Sequence, residues 1–449
     1  MSQIVMILAL ALIAVSVSAQ APKRLHPMVE KVTSGVSAER IAATLQKLES
    51  FGTRDIHSTQ IHEATRWIEA QFTAMSPRLK VTLDKHLAKK RGRMMRDVEV
   101  TNVVAVLPGK TQPDVHVLIT AHYDSVVLVR KPAVGKAPAA IDNAASAAAP
   151  KAPGVSDDAS GVAAVMELAR VMSAFEFDKT VVFIAMSGEE YGLLGALGYA
   201  TNAKKTGMKI EAVLNNDIIG NDDNGQGLKV SNVVRVFSED PMDSPSRAIA
   251  RYVRDTGERY LPGMKVDAVF RNDRFGRGGD HTAFNNHGFA GVRLTTVAED
   301  LKKQHSPEDT FAHASPEYCA QVARVNGAAL ASLALAPGAP VVSRDVTKTE
   351  AESGYSVQPN LARGKATVDA VLKWKLGTEA DLAGYAVVVR STTAPFWERE
   401  VYVGKVSEFT LRNLSIDDAV IGVKAIDTEG VESVVSAYVL PKRSFAAVN

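Results

Sequence analysis

Between residues 115 and 297 short apolar runs alternate with amphipathic stretches, and no other feature constrains the fold as much. Residues 115–119, 180–185, 211–214 and 291–297 are continuously or nearly continuously apolar and short, as strands buried on both faces are. Residues 161–172, 192–203 and 246–256 between them carry apolar positions at helical spacing. The pattern predicts an α/β fold: a mostly parallel mixed sheet with helices on both faces. Ahead of it, residues 37–75 read as two helices, and 79–83 and 98–107 as strands, the second stopping at Pro108-Gly109.

Two segments interrupt the alternation. Residues 131–153 are dominated by Ala, Pro and Lys and predict a mobile surface insertion without large apolar side chains to pack. Residues 336–356 are rich in Pro, Ser and Thr and predict a linker. Beyond it, runs such as 370–374, 385–389 and 419–423 are separated by turn residues at intervals typical of an all-β sandwich. The organisation expected is a signal peptide at 1–19, an α/β domain over 20–335, the linker, and a sandwich over 357–443. With 449 residues the chain is too long for one ordinary domain.

Residues 1–20 form an apolar run ending in Val17-Ser18-Ala19, the small-residue pattern of a cleaved secretory signal. A short membrane anchor is the competing reading, and the run falls short of the roughly 20 apolar residues a spanning helix needs. No cysteine stands at the cleavage point, which argues against a lipid anchor, and with so short an apolar run no stable membrane anchor is expected. Cys319 is the single cysteine, so no internal disulfide forms and no thiolate cluster binds metal. Export without disulfides points to a bacterial periplasm or to secretion. The formal net charge of +2 gives no reason to invoke nucleic acid.

The chemistry-bearing residues follow the strands. His122 and Asp124 come after 115–119, Glu189 and Glu190 after 180–185, Asp217 after 211–214, and His305 just past 291–297. In an open α/β sheet these are carboxyl ends of strands, where such folds place ligand sites. Alone, Glu189-Glu190 reads as a solvated charge pair, His122-Tyr123-Asp124 as a polar turn, and Asp157-Asp158-Ala159-Ser160-Gly161 as a helix cap. Together they supply the imidazole and carboxylate ligands that suit Zn²⁺. Two metals about 3.5–4 Å apart need a shared carboxylate, and a free carboxylate nearby can move the proton of an activated water.

The stretches His122-Tyr123-Asp124-Ser125, Gly154-Val155-Ser156-Asp157-Asp158-Ala159-Ser160-Gly161, Ser187-Gly188-Glu189-Glu190-Tyr191-Gly192-Leu193-Leu194-Gly195, Asn216-Asp217 and His305-Ser306-Pro307-Glu308-Asp309-Thr310 resemble the co-catalytic dizinc peptidases, a family that includes bacterial leucyl aminopeptidases and glutamate carboxypeptidases. The resemblance spans roughly residues 102–335. It implies two Zn²⁺ ions bridged by Asp157, with a cis peptide to Asp158. Glu190 and His305 complete one metal site, and His122 and Asp217 the other. Glu189 is implied as general acid/base, with Asp124, Asp158 and Asp280 supporting the ligands from behind. A helix cap is an equal reading for Asp280. Leu301-Lys302-Lys303 stands where many relatives carry a tyrosine, so no tyrosine is assigned to catalysis, Tyr191 included. The C-terminal stretch, through Trp374, Tyr385, residues 411–415 and residues 425–430, resembles a fibronectin type III domain, with another protein or a polysaccharide as its candidate partner; Trp374 reads as core.

These features point to a zinc exopeptidase acting on peptides, with an aminopeptidase favoured. A carboxypeptidase or dipeptidase would use the same centre and need cations for the substrate carboxylate, for which Arg271, Arg274 and Arg277 are placed. A non-catalytic binding protein on this fold is the alternative from another class. No Gly-X-Ser-X-Gly elbow supports a serine hydrolase.

Overall fold

The computed structural model describes residues 24–132, 139–272, 278–365 and 368–440, so the expected signal segment lies outside the described residues. Eight strands make one sheet: β1 (Lys80–Ala88), β2 (Val98–Leu107), β3 (Gln112–His122), β4 (Lys179–Met186), β5 (Lys209–Asn216), β6 (Val233–Ser238), β7 (Lys265–Val269) and β8 (Gly291–Thr296). Their order is β1-β2-β4-β3-β5-β8-β6-β7. β4, β3, β5 and β8 are mutually parallel, as are β6 and β7, while β1–β2, β2–β4 and β6–β8 pair antiparallel. The expected mixed, mostly parallel sheet is what forms.

Among the described residues, nine helices accompany it: α1 (Pro27–Ser34), α2 (Ala38–Glu49), α3 (Gln60–Met75), α4 (Asn143–Ala147) within the insertion, α5 (Ser160–Met172), α6 (Leu194–Thr206), α7 (Pro245–Tyr260), α8 (Asp280–Asn286) and α9 (Pro316–Leu335). Strand side chains point to alternate faces, and the two cores divide accordingly. Val117, Ile119, Val181, Phe183, Ala212 and Leu214 join α1, α2, α3, α5, α7 and α9 in the larger core. Leu118, Val182, Ile184 and Val213 meet α6 and α8 in the smaller one. Apolar residues at every strand position are thus explained by helices on both sides.

β6 and β7 were not expected. Arg235 and Asp267 interrupt their apolar runs, and at one side of the sheet a strand needs less continuous hydrophobicity. The insertion also departs from the mobile, unpacked segment expected. Residues 133–138 lie outside the described residues, but Asp142 caps α4, Ser146 Oγ accepts from Val129 N, and Ala152 is buried and bridges to Thr53. Small residues pack here because backbone and caps, rather than large side chains, hold the segment. The expected linker likewise contains structure: β9 (Ser343–Arg344) precedes α10 (Lys348–Glu352), whose Thr347 and Glu350 form a reciprocal capping box.

β9 pairs with β10 (Gln358–Pro359). Seven further strands follow: β11 (Leu361–Arg363), β12 (Ala370–Lys373), β13 (Leu382–Ser391), β14 (Arg399–Gly404), β15 (Glu408–Leu411), β16 (Ala419–Asp427) and β17 (Ser436–Ala437). They form antiparallel sheets β11-β12-β15 and β14-β13-β16-β17. Leu372, Trp374, Tyr385, Val387, Ile421 and Val423 share their core. Trp374 meets Tyr385 edge-on at 5.4 Å and is a core residue, as its sequence context predicts.

Candidate metal centre

The parallel strands β3, β4 and β5 end side by side, and each hands its next residues to one rim. His122 is the last residue of β3, Glu189 and Glu190 follow β4 through Gly188, and Asp217 follows β5. Asp157 enters from the turn before α5, where Asp157 and Asp158 leave helical φ/ψ and are joined by a cis peptide, as the resemblance implied. His305 arrives from the loop after β8.

The imidazoles and carboxylates converge closely. His122 Nε2 lies 3.2 Å from Asp157 Oδ1, and His305 Nε2 lies 3.1 Å from Asp157 Oδ2 and 2.9 Å from Glu190 Oε1. His122, Asp157 and Glu190 each offer a ligand atom within 4.8 Å of the other two. His122 Nε2 and Glu190 Oε1 are buried and make no hydrogen bond despite these short approaches. Donor atoms that crowd together without hydrogen-bond geometry are aimed at a common point between them, which fits a cation.

Asp217 sits differently. Its Oδ1 is 2.9 Å from Arg293 Nη2, and Arg293 Nη1 donates to Gly278 O at 2.8 Å. Both side chains are buried, so Arg293 balances a carboxylate that is largely withdrawn from water. Asp217 still lines the same cleft as Asp157, Glu189, Glu190 and His305.

The supporting carboxylates have distinct tasks. Asp124 faces His122 Nδ1, with its carbonyl at 3.1 Å and Oδ1 at 3.5 Å. Its carboxylate also accepts the N–H groups of Glu189 and Glu190, both at 3.2 Å, so it fixes that turn as well as the imidazole. Asp158 accepts from His122 N, Gly161 N and Ile218 N. Its bond to Gly161 N reaches the first turn of α5, whose cap residue is Ala159, while Asp157 Oδ1 and Oδ2 face the two imidazoles. Asp280 does not cap a helix: α8 begins at Asp280 itself, with Gly279 as its cap residue. Both Asp280 carboxylate oxygens are buried without a hydrogen bond, and burial pushes the group up to about 7.

Electrostatics follow from burial and neighbours. The carboxylate of Glu190 raises His305 to about 11 despite desolvation. Burial raises Glu189 well above the ordinary glutamate range, with Asp217, Glu190 and Asp280 adding and His122 opposing. Burial works against a charged His122, but Asp124 and Asp157 outweigh it and hold its pKa high. A concentration of buried carboxylates is the setting a divalent cation relieves.

Residues 102–330 match the sequence profile of peptidase family M28. A protein named "Probable zinc metalloprotease" from Leptosphaeria maculans is 32% identical over 92% of this chain and 96% of its own length. The chain belongs to peptidase family M28. A second "Probable zinc metalloprotease", from Pyricularia oryzae, is 33% identical over 89% of this chain and 82% of its own length. The LapA aminopeptidase of Legionella pneumophila shares the fold with a TM-score of 0.52 at 20% identity, over 70% of this chain and 77% of that one. The aminopeptidase from Aneurinibacillus sp. strain AM-1 has a TM-score of 0.51 at 18% identity, over 69% of this chain and 97% of that one.

In this M28 chain residues that were given no role from the sequence also hold the centre in place. Buried Arg54 donates to the carbonyls of Leu48, Tyr123, Pro153 and Gly154, tying the β3 end to the Asp157 turn. Asp309 accepts from Ser156 N and Asp157 N at 2.8 and 3.0 Å. Neither contact has a local sequence signature, although Asp309 belongs to the His305 motif. Tyr191 Oη donates to Asp55 at 2.6 Å and packs on His57, so it is engaged away from the centre.

The cleft measures about 650 Å³ and adds Leu193, Ile218, Glu239, Asn272, Thr282 and Asn286 to the residues above. Leu193, Ile218 and His305 have φ of 57°, 62° and 53°. They are three of the four non-glycine residues with positive φ among the described residues, and strain of this kind gathers at functional sites. Arg271 is exposed beside Asn272, while Arg274 and Arg277 lie outside the described residues.

Proposed function

We propose that this M28 peptidase is a zinc-dependent aminopeptidase that removes N-terminal residues from peptides with two metal ions. The observation that carries the reading is the buried convergence of His122, Asp157, Glu190 and His305, with Glu189 beside them in an open cleft. Asp157 would bridge the ions, Glu190 and His305 would complete one site, and His122 and Asp217 the other. When bound, zinc supplies a Lewis acid that polarises a peptide carbonyl and acidifies water.

The chain's own residues do the rest. Glu189 has no ligand role in this scheme, so its carboxylate can take the proton of the attacking water and deliver it to the leaving amine nitrogen. Asp124 holds the Glu189-Glu190 turn and the His122 ring at once, which keeps base and ligands in register. Peptides are the substrate class, and the names of the similar proteins support proteolysis with zinc. Export through the leader at residues 1–20, to a periplasm or to the exterior, belongs to the same proposal, as does a fibronectin type III-like C-terminal unit that binds a protein or polysaccharide.

Two experiments test the reading. Glu189→Gln is expected to retain metal and lose about 10²–10⁴ in kcat on aminoacyl anilides; wild-type turnover in this variant would refute the assigned base. A panel of free, N-acetylated and C-amidated peptides separates the ends of the substrate. Cleavage abolished by acetylation and indifferent to amidation is expected, and the reverse pattern would make the enzyme a carboxypeptidase.

A further inference from the structure

The C-terminal sheets do more than follow the α/β domain. The turn between β13 and β14 carries Phe396, whose ring meets Phe270 at 5.6 Å and lies under the Arg254 guanidinium at 3.8 Å. Arg251 covers the Phe270 ring at 4.7 Å, and its Nε donates to Pro395 O at 2.7 Å. Arg390, buried at the end of β13, pairs with Asp243 in the turn between β6 and α7. Phe396 and Arg390 of one hairpin therefore hold two neighbouring loops of the other domain, while Pro395 and Phe396 also meet α7.

Those two loops border the cleft. Asp243 lies in the turn that begins at Glu239, which Ser244 Oγ and Ser246 Oγ close onto the Glu239 backbone at 2.5 and 3.0 Å. Phe270 follows β7 and leads to Asn272, whose Oδ1 accepts from Asp240 N at 3.0 Å and ties the loops together. Glu239 and Asn272 both line the cleft, where Thr282 Oγ1 also donates to Glu239 Oε1. From Phe396 and Arg390 the path to the cleft runs through a ring contact, an ion pair, hydrogen bonds and two short stretches of backbone.

We infer that the β13–β14 hairpin is a positioning element for substrate: it sets the cleft wall formed by Glu239 and Asn272. The inference rests on the reading of this cleft as the peptide site. The hairpin touches none of the proposed metal ligands, so it acts on substrate placement and leaves metal content and the chemical step alone. A distal brace of this kind is expressed mainly in KM.

The test uses the full chain with Phe396→Ala, Arg390→Met and the conservative Phe396→Leu. Two readouts are taken: steady-state kinetics on a peptide substrate, and amide hydrogen exchange at residues 239–244 and 266–272. Phe396→Ala is expected to raise KM by at least about threefold with kcat within about twofold. Exchange in both loops is expected to quicken, zinc per chain to stay at the wild-type value, and Phe396→Leu to restore both KM and protection. Unchanged exchange in both loops would overturn the inference whatever the catalytic activity. Unchanged KM with quickened exchange would overturn the positioning role as well. If the wild type hydrolyses no peptide, the functional reading fails separately, and the exchange data still decide whether the hairpin braces the wall.

Discussion

Asp309 accepts the backbone N–H groups of Ser156 and Asp157, so its carboxylate sets the direction in which Asp157 enters the centre. Asp309→Ala leaves both donors without that partner, at about 1–3 kcal/mol for each that stays buried. The expected outcome is a lower melting temperature and weaker zinc retention against a chelator, both measurable on purified protein. An unchanged melting curve would show that Asp309 is dispensable. Cys319 makes a simpler case. It is fully buried on α9, and burial pushes its thiol well above the ordinary range. It is expected to react with a thiol reagent only at the rate of global unfolding, and fast labelling of the native protein would contradict that packing. At this scale the motif residues were legible because each lies in a short patterned stretch, most of them just after a strand and Asp157 just before a helix. Arg54, Arg293 and Glu239 were not, because their partners lie far along the chain and a lone arginine or glutamate has no local period.

Helix α5 brings Asp158 and the end of β5 together, and Gly161 makes the approach possible. A Cβ at Gly161 would stand 2.5 Å from Asp158 Oδ2, 2.7 Å from Asn216 O and 2.8 Å from the Ala121 side chain. Gly161→Ala is therefore expected to cost about 1–3 kcal/mol by overpacking and to loosen metal binding. Denaturant unfolding and zinc analysis check both effects, and a variant with wild-type values for each would show that the turn has room. Element by element, the sequence was most readable where burial on both faces favours runs of apolar residues, as in β4 and the buried halves of β3 and β5. It was least readable in β6 and β7, where Arg235 and Asp267 break the pattern and tertiary pairing supplies what periodicity lacks. The Ala- and Pro-rich stretch before Asp157 misled for a related reason: capping and backbone contacts order it without leaving a hydrophobic signature.

The two parts of the molecule meet through charge as well as through Phe396. Glu432 pairs with Arg259 and Lys424, both at 3.0 Å, and its carbonyl accepts from Tyr252 Oη. Burial alone would raise the Glu432 pKa, but Lys424 and Arg259 outweigh it and hold the group below the ordinary glutamate range. A depressed carboxylate pKa contributes stability that is fully present above the unfolded-state value, about 4.3, and is lost as pH falls through the folded value. Glu432→Gln is expected to cost about 1–3 kcal/mol at neutral pH, less than a fully buried pair because Arg259 is partly exposed. The difference in melting temperature between wild type and variant should shrink below about pH 4. A difference that stays constant down to pH 3 would show that the ion cluster contributes nothing through its charge. The fold class was visible from the alternation of short apolar runs, but this seam was not, because it depends on long-range pairings between residues about 170 positions apart, such as Arg259 and Glu432.

All of these scales meet in Asp157, whose carboxylate is placed between both imidazoles. Zinc per chain, measured by elemental analysis after exhaustive dialysis, tests the central claim most directly when wild type is compared with Asp157→Ala. Two zinc ions per wild-type chain and fewer than one in the variant are expected. A wild type that holds less than one, or a variant that keeps two, would contradict the account.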